Sequence, residues 1–256
     1  MACSCVVDPA VDYYLYPRVQ EPGTHCPSKC PTYNVGGVQC VVVTRADAKR
    51  TILYCHGNAV VVQDLLISGV ASDFVERCKC NFVAPTYPER RATGRCHDKE
   101  IIDNVRKVYD TVKQDYCHDI YMVGRSLGAA VAAHACVRHP PAGLVLLSGF
   151  SSLRAMTRWP AIKYLIGNRL DTEEVLGSCL KETPKCIIHG SCDDLVSPCN
   201  ALRLGNASEN TAVHIIEGMS HSPDCHWATV VGLVASFVQR PTAKATGPRM
   251  YPLWYV

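Results

Sequence analysis

Short apolar runs, several of them β-branched, alternate along the middle of the chain with longer stretches whose apolar positions recur every three or four residues. The run Val38 to Thr44, bounded by Gly36-Gly37 and Arg45-Ala46-Asp47, predicts a strand. Thr51 to Cys55 predicts a second, and Asn81 to Ala84 a third, ended by Pro85 and Tyr87-Pro88. Ile120 to Val123, Leu144 to Leu147, Cys186 to His189 and Ala212 to Ile216 continue the series. Between them, a loop at His56-Gly57-Asn58 leads into a helix through about Cys78. Ile101, Ile102, Val105, Val108, Tyr109 and Val112 mark one face of an amphipathic helix. Further helices are expected after Ser126, near Pro198 to Leu204, and from Trp227 to Val238. Such alternation predicts an α/β fold: a mainly parallel, twisted sheet with helices on both faces. An irregular, partly helical insertion at about 150–183 would form a short lid. Residues 1–35 read as an extended arm, 36–239 as the α/β domain, and 240–256 as a Pro-containing tail.

With 256 residues the chain can bury a full-sized core in one large or two small domains. A net charge of +3, with Lys and Arg scattered, gives no basic face, so nucleic acid is not an expected partner. No run of 18 apolar residues predicts a membrane span. The N-terminus lacks a charged-then-apolar leader, so a cytoplasmic chain is expected. Of the sixteen cysteines, Cys40, Cys55, Cys136 and Cys186 sit where a small apolar residue would. His25-Cys26 with Cys30, and Cys78 with Cys80, lack a second pair at metal-binding spacing, so no metal site is expected. Cys3 and Cys5 stand beside Val6-Val7 and Tyr13-Tyr14-Leu15-Tyr16. Two acylated cysteines in that setting would anchor the chain peripherally to a membrane.

The candidate chemistry centres on Tyr121 to Ala130, which contains Gly124-Arg125-Ser126-Leu127-Gly128 between an apolar run and small helix formers. That context predicts a nucleophile elbow, with Ser126 exposed on a strained strand-to-helix turn. A serine hydroxyl needs a base, and the base needs an acid to orient it. Loops after parallel strands gather at one sheet edge, so the partners should follow later strands. Asp193, with Asp194 as its rival, follows Cys186 to His189. His221, with His226 as its rival, follows Ala212 to Ile216. Backbone N–H groups of Leu127 and of Asn58 or Ala59 are the expected oxyanion donors, with His56 a structural hydrogen-bonder. Chemistry of this kind requires no cofactor.

On these landmarks the chain resembles the α/β-hydrolase superfamily and, within it, the Bem46-like branch that includes protein depalmitoylases. The similar stretch runs from about Asn34 to Gln239 and carries Cys55-His56-Gly57-Asn58-Ala59, Gly124 to Gly128, Leu147 to Leu153, Ile188 to Asp193, and Glu217 to His221. The resemblance implies a serine hydrolase acting on acyl thioesters or esters, with an acylated protein or lipid ester as substrate. The depalmitoylases of that branch remove palmitate from protein cysteines and have acylated, cysteine-rich N-termini. Lipid-ester or aminopeptidase-like hydrolysis, or a binding role without catalysis, would use the same fold. This chain departs from the branch at Pro88-Glu89-Arg90-Arg91, where a Gly-Tyr-Gly turn is usual, and at Ser222-Pro223, where an Asn-Asp pair often stands. Its terminal cysteine group is also sparser. The acyl chain is expected in a shallow groove under Trp159 and Leu165.

Overall fold

β-branched and aromatic runs supply a nine-stranded sheet at the centre of the structure, a computed structural model that describes residues 31–58, 60–88, 97–115, 119–156, 169–240 and 249–250. In chain order the strands are β1 (Tyr33–Val35), β2 (Val38–Val43), β3 (Arg50–Cys55), β4 (Asn81–Pro85), β5 (Asp119–Arg125), β6 (Gly143–Leu147), β7 (Lys185–Gly190), β8 (Thr211–Ile216) and β9 (Arg249–Met250). Their spatial order is β1-β2-β4-β3-β5-β6-β7-β8-β9. β1 and β2 run antiparallel to their neighbours, and every pair from β4 and β3 onward is parallel.

The helices are α1 (Asp64–Ile67), α2 (Val70–Cys78), α3 (His97–Asp115), α4 (Leu127–Ala135), α5 (Leu153–Met156), α6 (Thr172–Ser178), α7 (Cys199–Asn206) and α8 (Trp227–Val238). They cover both faces of the sheet. On one face Ile101, Val105 and Val108 of α3, Val131 of α4 and Leu204 of α7 meet Leu53, Cys55 and Met122. On the other, Phe74 and Val75 of α2 and Val230 and Val234 of α8 meet Ile52, Tyr54, Tyr121 and Val123. Adjacent residues of β3 and β5 thus serve opposite faces, the two-residue period of a pleated strand. Because both faces are buried, the central strands are apolar at nearly every position.

Two boundaries differ from expectation. Tyr33 to Val35, read from sequence as part of an arm, form an edge strand whose Val35 lies opposite Val38. Gly36 and Gly37 adopt φ of 60° and 83°, the left-handed pair that closes a tight hairpin at no steric cost. The single helix expected up to Cys78 is two helices, broken at Gly69, whose φ is 80°. Elsewhere the expected strands and helices are present, with ends shifted by a residue or a few. In the insertion, Asp171 precedes α6 as its cap, its carboxylate accepting from the Glu174 N–H at 3.1 Å. Trp159 and Leu165 lie outside the described residues, as do Cys3, Cys5 and most of the C-terminal tail.

Cys40, Cys55, Cys78, Cys80, Cys136 and Cys186 are buried as free thiols. Burial pushes the Cys40, Cys136 and Cys186 thiols up to about 12, so they pack as small apolar side chains. Among the described residues there is no cluster of three or more potential metal ligands, and no helix is long and apolar enough to cross a membrane.

Candidate active site

Ser126 sits at the junction of β5 and α4 with φ 54° and ψ −121°, a conformation disfavoured for any residue with a Cβ. Strain of this kind costs on the order of 1–3 kcal/mol and persists only where surrounding structure enforces it. The enforcement is visible. The Ser126 N–H donates to the Leu147 carbonyl on β6 at 2.8 Å, and the Ser126 carbonyl accepts from Ala129 at 3.0 Å. A Cβ on Gly124 would collide with the Gly128 carbonyl, and one on Gly128 with the carbonyls of Cys55 and His56. Strand, turn and helix therefore pack backbone against backbone, which only glycine permits at those two positions.

The loops after β7 and β8 are stitched to each other. Ser191 N–H donates to the Ile216 carbonyl at 2.9 Å and Cys192 N–H to the Met219 carbonyl at 3.0 Å. Gly218, at φ 71°, donates its N–H to Ser191 Oγ at 2.9 Å. Asp193 is buried between them. Its Oδ1 accepts from the backbone N–H groups of Leu195 at 3.1 Å and Val196 at 2.7 Å. Its Oδ2 accepts from His221 Nδ1 at 2.8 Å, and His221 Nε2 lies 3.1 Å from Ser126 Oγ.

A carboxylate can only accept, so His221 carries its proton on Nδ1 and offers the Nε2 lone pair to the Ser126 hydroxyl. The geometry thus joins Ser126, His221 and Asp193 in one hydrogen-bonded relay. Of the rivals, Asp194 is exposed at the surface, and His226 ends a short 3-10 turn before α8. The acid and base are held from both sides, with Asp193 enclosed and the His221 side chain 18% exposed toward solvent.

Leu127, the first residue of α4, and the loop after β3 flank the serine. An ideal Cβ on Gly57 would lie 3.6 Å from the Arg125 carbonyl and 3.7 Å from Ser126 Cβ, so this loop backs directly onto the elbow. Asn58 follows it; Ala59 lies outside the described residues. His56 is buried and stacked on Tyr87 with ring centroids 3.8 Å apart. Its Nδ1–H donates to the Gly57 carbonyl at 2.9 Å, and Tyr87 Oη–H donates to the His56 carbonyl at 3.1 Å. Burial pushes the His56 imidazole down to about 4, so it stays neutral and braces the loop.

Two contributors are not singled out by sequence. Arg125 Nη2 donates to Ser222 Oγ at 3.3 Å, and Ser222 Oγ–H donates to Asp224 Oδ2 at 2.9 Å. The variable position of the pentapeptide thereby tethers the base loop to the elbow. The other is His189 at the end of β7, whose Nε2 lies 3.2 Å from Asp193 Oδ2. Its only sequence signal is a histidine ending an otherwise apolar strand.

Strand order, elbow and the edge where the three loops meet decide the architecture. The chain has the α/β-hydrolase fold. The crystal structure of TT1662 from Thermus thermophilus is similar, with a TM-score of 0.65 and 16% identity over 82% of this chain and 98% of that one. So is a hormone-sensitive lipase from a metagenome library, at 0.62 and 15% over 91% of both chains. The esterase domain of a Rhodothermus marinus protein matches at 0.61 and 15%, over 83% of this chain and 98% of its own. By sequence, uncharacterized proteins from two strains of Mycobacterium tuberculosis are 34% identical over 104 residues, 39% of this chain. The matched stretch spans about a third of those relatives, 36% of their length. No protein-family model matches the sequence.

Proposed function

We propose that this protein is a serine hydrolase that cleaves acyl esters or thioesters through Ser126, His221 and Asp193. The observation that carries the reading is the continuous relay from Ser126 Oγ to His221 at 3.1 Å and on to Asp193 at 2.8 Å. Ser126 Oγ attacks the acyl carbonyl as its proton passes to His221 Nε2, and Asp193 stabilises the imidazolium. The N–H groups of Leu127 and Asn58 hold the oxyanion. His221 then gives its proton to the leaving thiol or alcohol, leaving an acyl-enzyme. Water, deprotonated by His221, attacks the acyl carbon, and the acid leaves as Ser126 regains its proton.

The preferred substrate is a palmitoylated protein cysteine, as the resemblance to the Bem46-like branch implies. A lipase and esterases among the similar structures support ester cleavage. A fluorophosphonate probe should label the wild type and not Ser126→Ala, and turnover should fall on the order of 10³-fold or more in Ser126→Ala. Equal labelling of the two chains would overturn the reading. A panel of thioester, ester and peptide substrates tests the leaving group, and dominant peptide cleavage would remove the acyl specificity. Cys3 and Cys5 are proposed as S-acylation sites for peripheral membrane association. The double change Cys3→Ser with Cys5→Ser should release the protein from membranes; a wild type already in the soluble fraction would refute the anchor.

A further inference from the structure

His189 has no exposed side-chain surface and lies directly behind the proposed acid. Its Nε2 is 2.8 Å from the Val196 carbonyl and 3.2 Å from Asp193 Oδ2, the same oxygen that accepts from His221. Both neighbours of Nε2 can only accept, so the proton of His189 resides on Nε2. Its Nδ1 is buried with no hydrogen-bond partner among the described residues. A second proton there would be an orphaned buried donor, which is costly, and the ring is therefore neutral. Burial acts in the same direction, holding His189 below the ordinary histidine range against the opposing pull of the Val196 carbonyl and Asp193, and His221 adds to the lowering.

We propose that neutral His189 is a positioning residue for Asp193, with its Nε2–H donating to the Val196 carbonyl while the same nitrogen lies 3.2 Å from the carboxylate oxygen that serves His221. This role rests on the proposed hydrolase reading. The two backbone donors to Oδ1 fix one end of the carboxylate. The His189 N–H, held by the Val196 carbonyl, keeps its positive end beside Oδ2 and takes up part of the charge that would otherwise act on His221. A neutral donor does this without cancelling the carboxylate. A cationic ring at the same place would compete with the imidazolium that forms at His221. Glu, Lys or Arg cannot substitute for it in a site from which water is excluded.

The test replaces His189 with Leu, which keeps volume and loses the donor, and with Gln, whose amide reaches as far as Nε2. Turnover is counted per fluorophosphonate-titrated site, so unfolded protein does not enter. His189→Leu should lower kcat about tenfold or more with KM within about twofold, the loss of one buried donor beside a charged group. The acid limb of its kcat/KM profile should move to higher pH, because the carboxylate charge is then unshared. His189→Gln should restore both. A limb that stays put in the Leu variant, or a Gln variant as impaired as Leu, would reduce His189 to packing and overturn the proposal. In the wild type, 15N NMR at neutral pH should show His189 protonated on Nε2 and bare on Nδ1. An Nδ1–H tautomer would overturn the donor assignment while leaving hydrolysis by Ser126 untouched. A wild type that neither labels nor hydrolyses would remove the reading beneath it and this role together.

Discussion

The elbow at Ser126 and the paired loops carrying Asp193 and His221 meet at one sheet edge, yet they are held by different means. The elbow is clamped sterically: Gly124 and Gly128 bring bare backbone of β5, α4 and the loop after β3 into contact, and the strained φ of 54° follows. The acid and base loops are held by hydrogen bonds, from Ser191, Cys192 and Gly218 between the loops and from Leu195 and Val196 to the carboxylate. Steric packing fixes a backbone and tolerates no side chain. Hydrogen bonds fix side-chain direction and are lost one at a time. Under the proposed mechanism the nucleophile must not move, whereas the base must turn slightly to pass a proton from serine to leaving group.

Asp193→Asn strikes the hydrogen-bonded side hardest. The amide oxygen can still accept from Leu195 and Val196, so the fold should survive with a melting point close to wild type. The amide nitrogen would then face His221 Nδ1 as a donor and force the wrong tautomer, and kcat should drop by about 10⁴-fold. A residual kcat near wild type would remove Asp193 from the relay. Gly128→Ala strikes the steric side. Its Cβ would meet the carbonyls of Cys55 and His56, which cannot yield without shifting β3. Labelling by the probe should slow on the order of 10²-fold, with a clearly lowered melting temperature. An alanine variant with unchanged melting and labelling would show that the elbow is not clamped as described.

The smallest expected effect is acid loss of stability from the loop that braces the elbow. His56 in the folded chain is pushed to about 4, below the roughly 6.5 of an unfolded histidine. Above that unfolded value both states are neutral and the contribution is intact. As pH falls from there toward 4, the unfolded chain takes up a proton that the native chain refuses, and stability declines. The full loss from this one group is on the order of 3 kcal/mol. His134, His189 and His214, also lowered by burial, act in the same direction. Urea melts at pH 7 and pH 4.5 should show a smaller decline in His56→Gln than in wild type; equal declines would mean that His56 is not held neutral.

The strands, their parallel arrangement and the elbow were legible in the sequence because each rests on local rules: β-branched runs, three- and four-residue periodicity, and glycines flanking a serine. Asp193 and His221 were legible because topology sends loops after parallel strands to one edge, and the structure brings both within hydrogen-bond distance of their partners. The hairpin at Gly36-Gly37 escaped the reading because its first strand is too short to show alternation. The break at Gly69 escaped because glycine inside a helical pattern is often tolerated.

Sequence alone, then, determined the layers of the fold and the residue types able to form a relay, since these follow from spacing along the chain. Only tertiary structure decided between Asp193 and Asp194, placed His189 behind the acid, and tied Arg125 to Ser222. Those choices depend on directions in space, namely which side chain turns inward and which lone pair is already spent, and neighbours in sequence do not encode them.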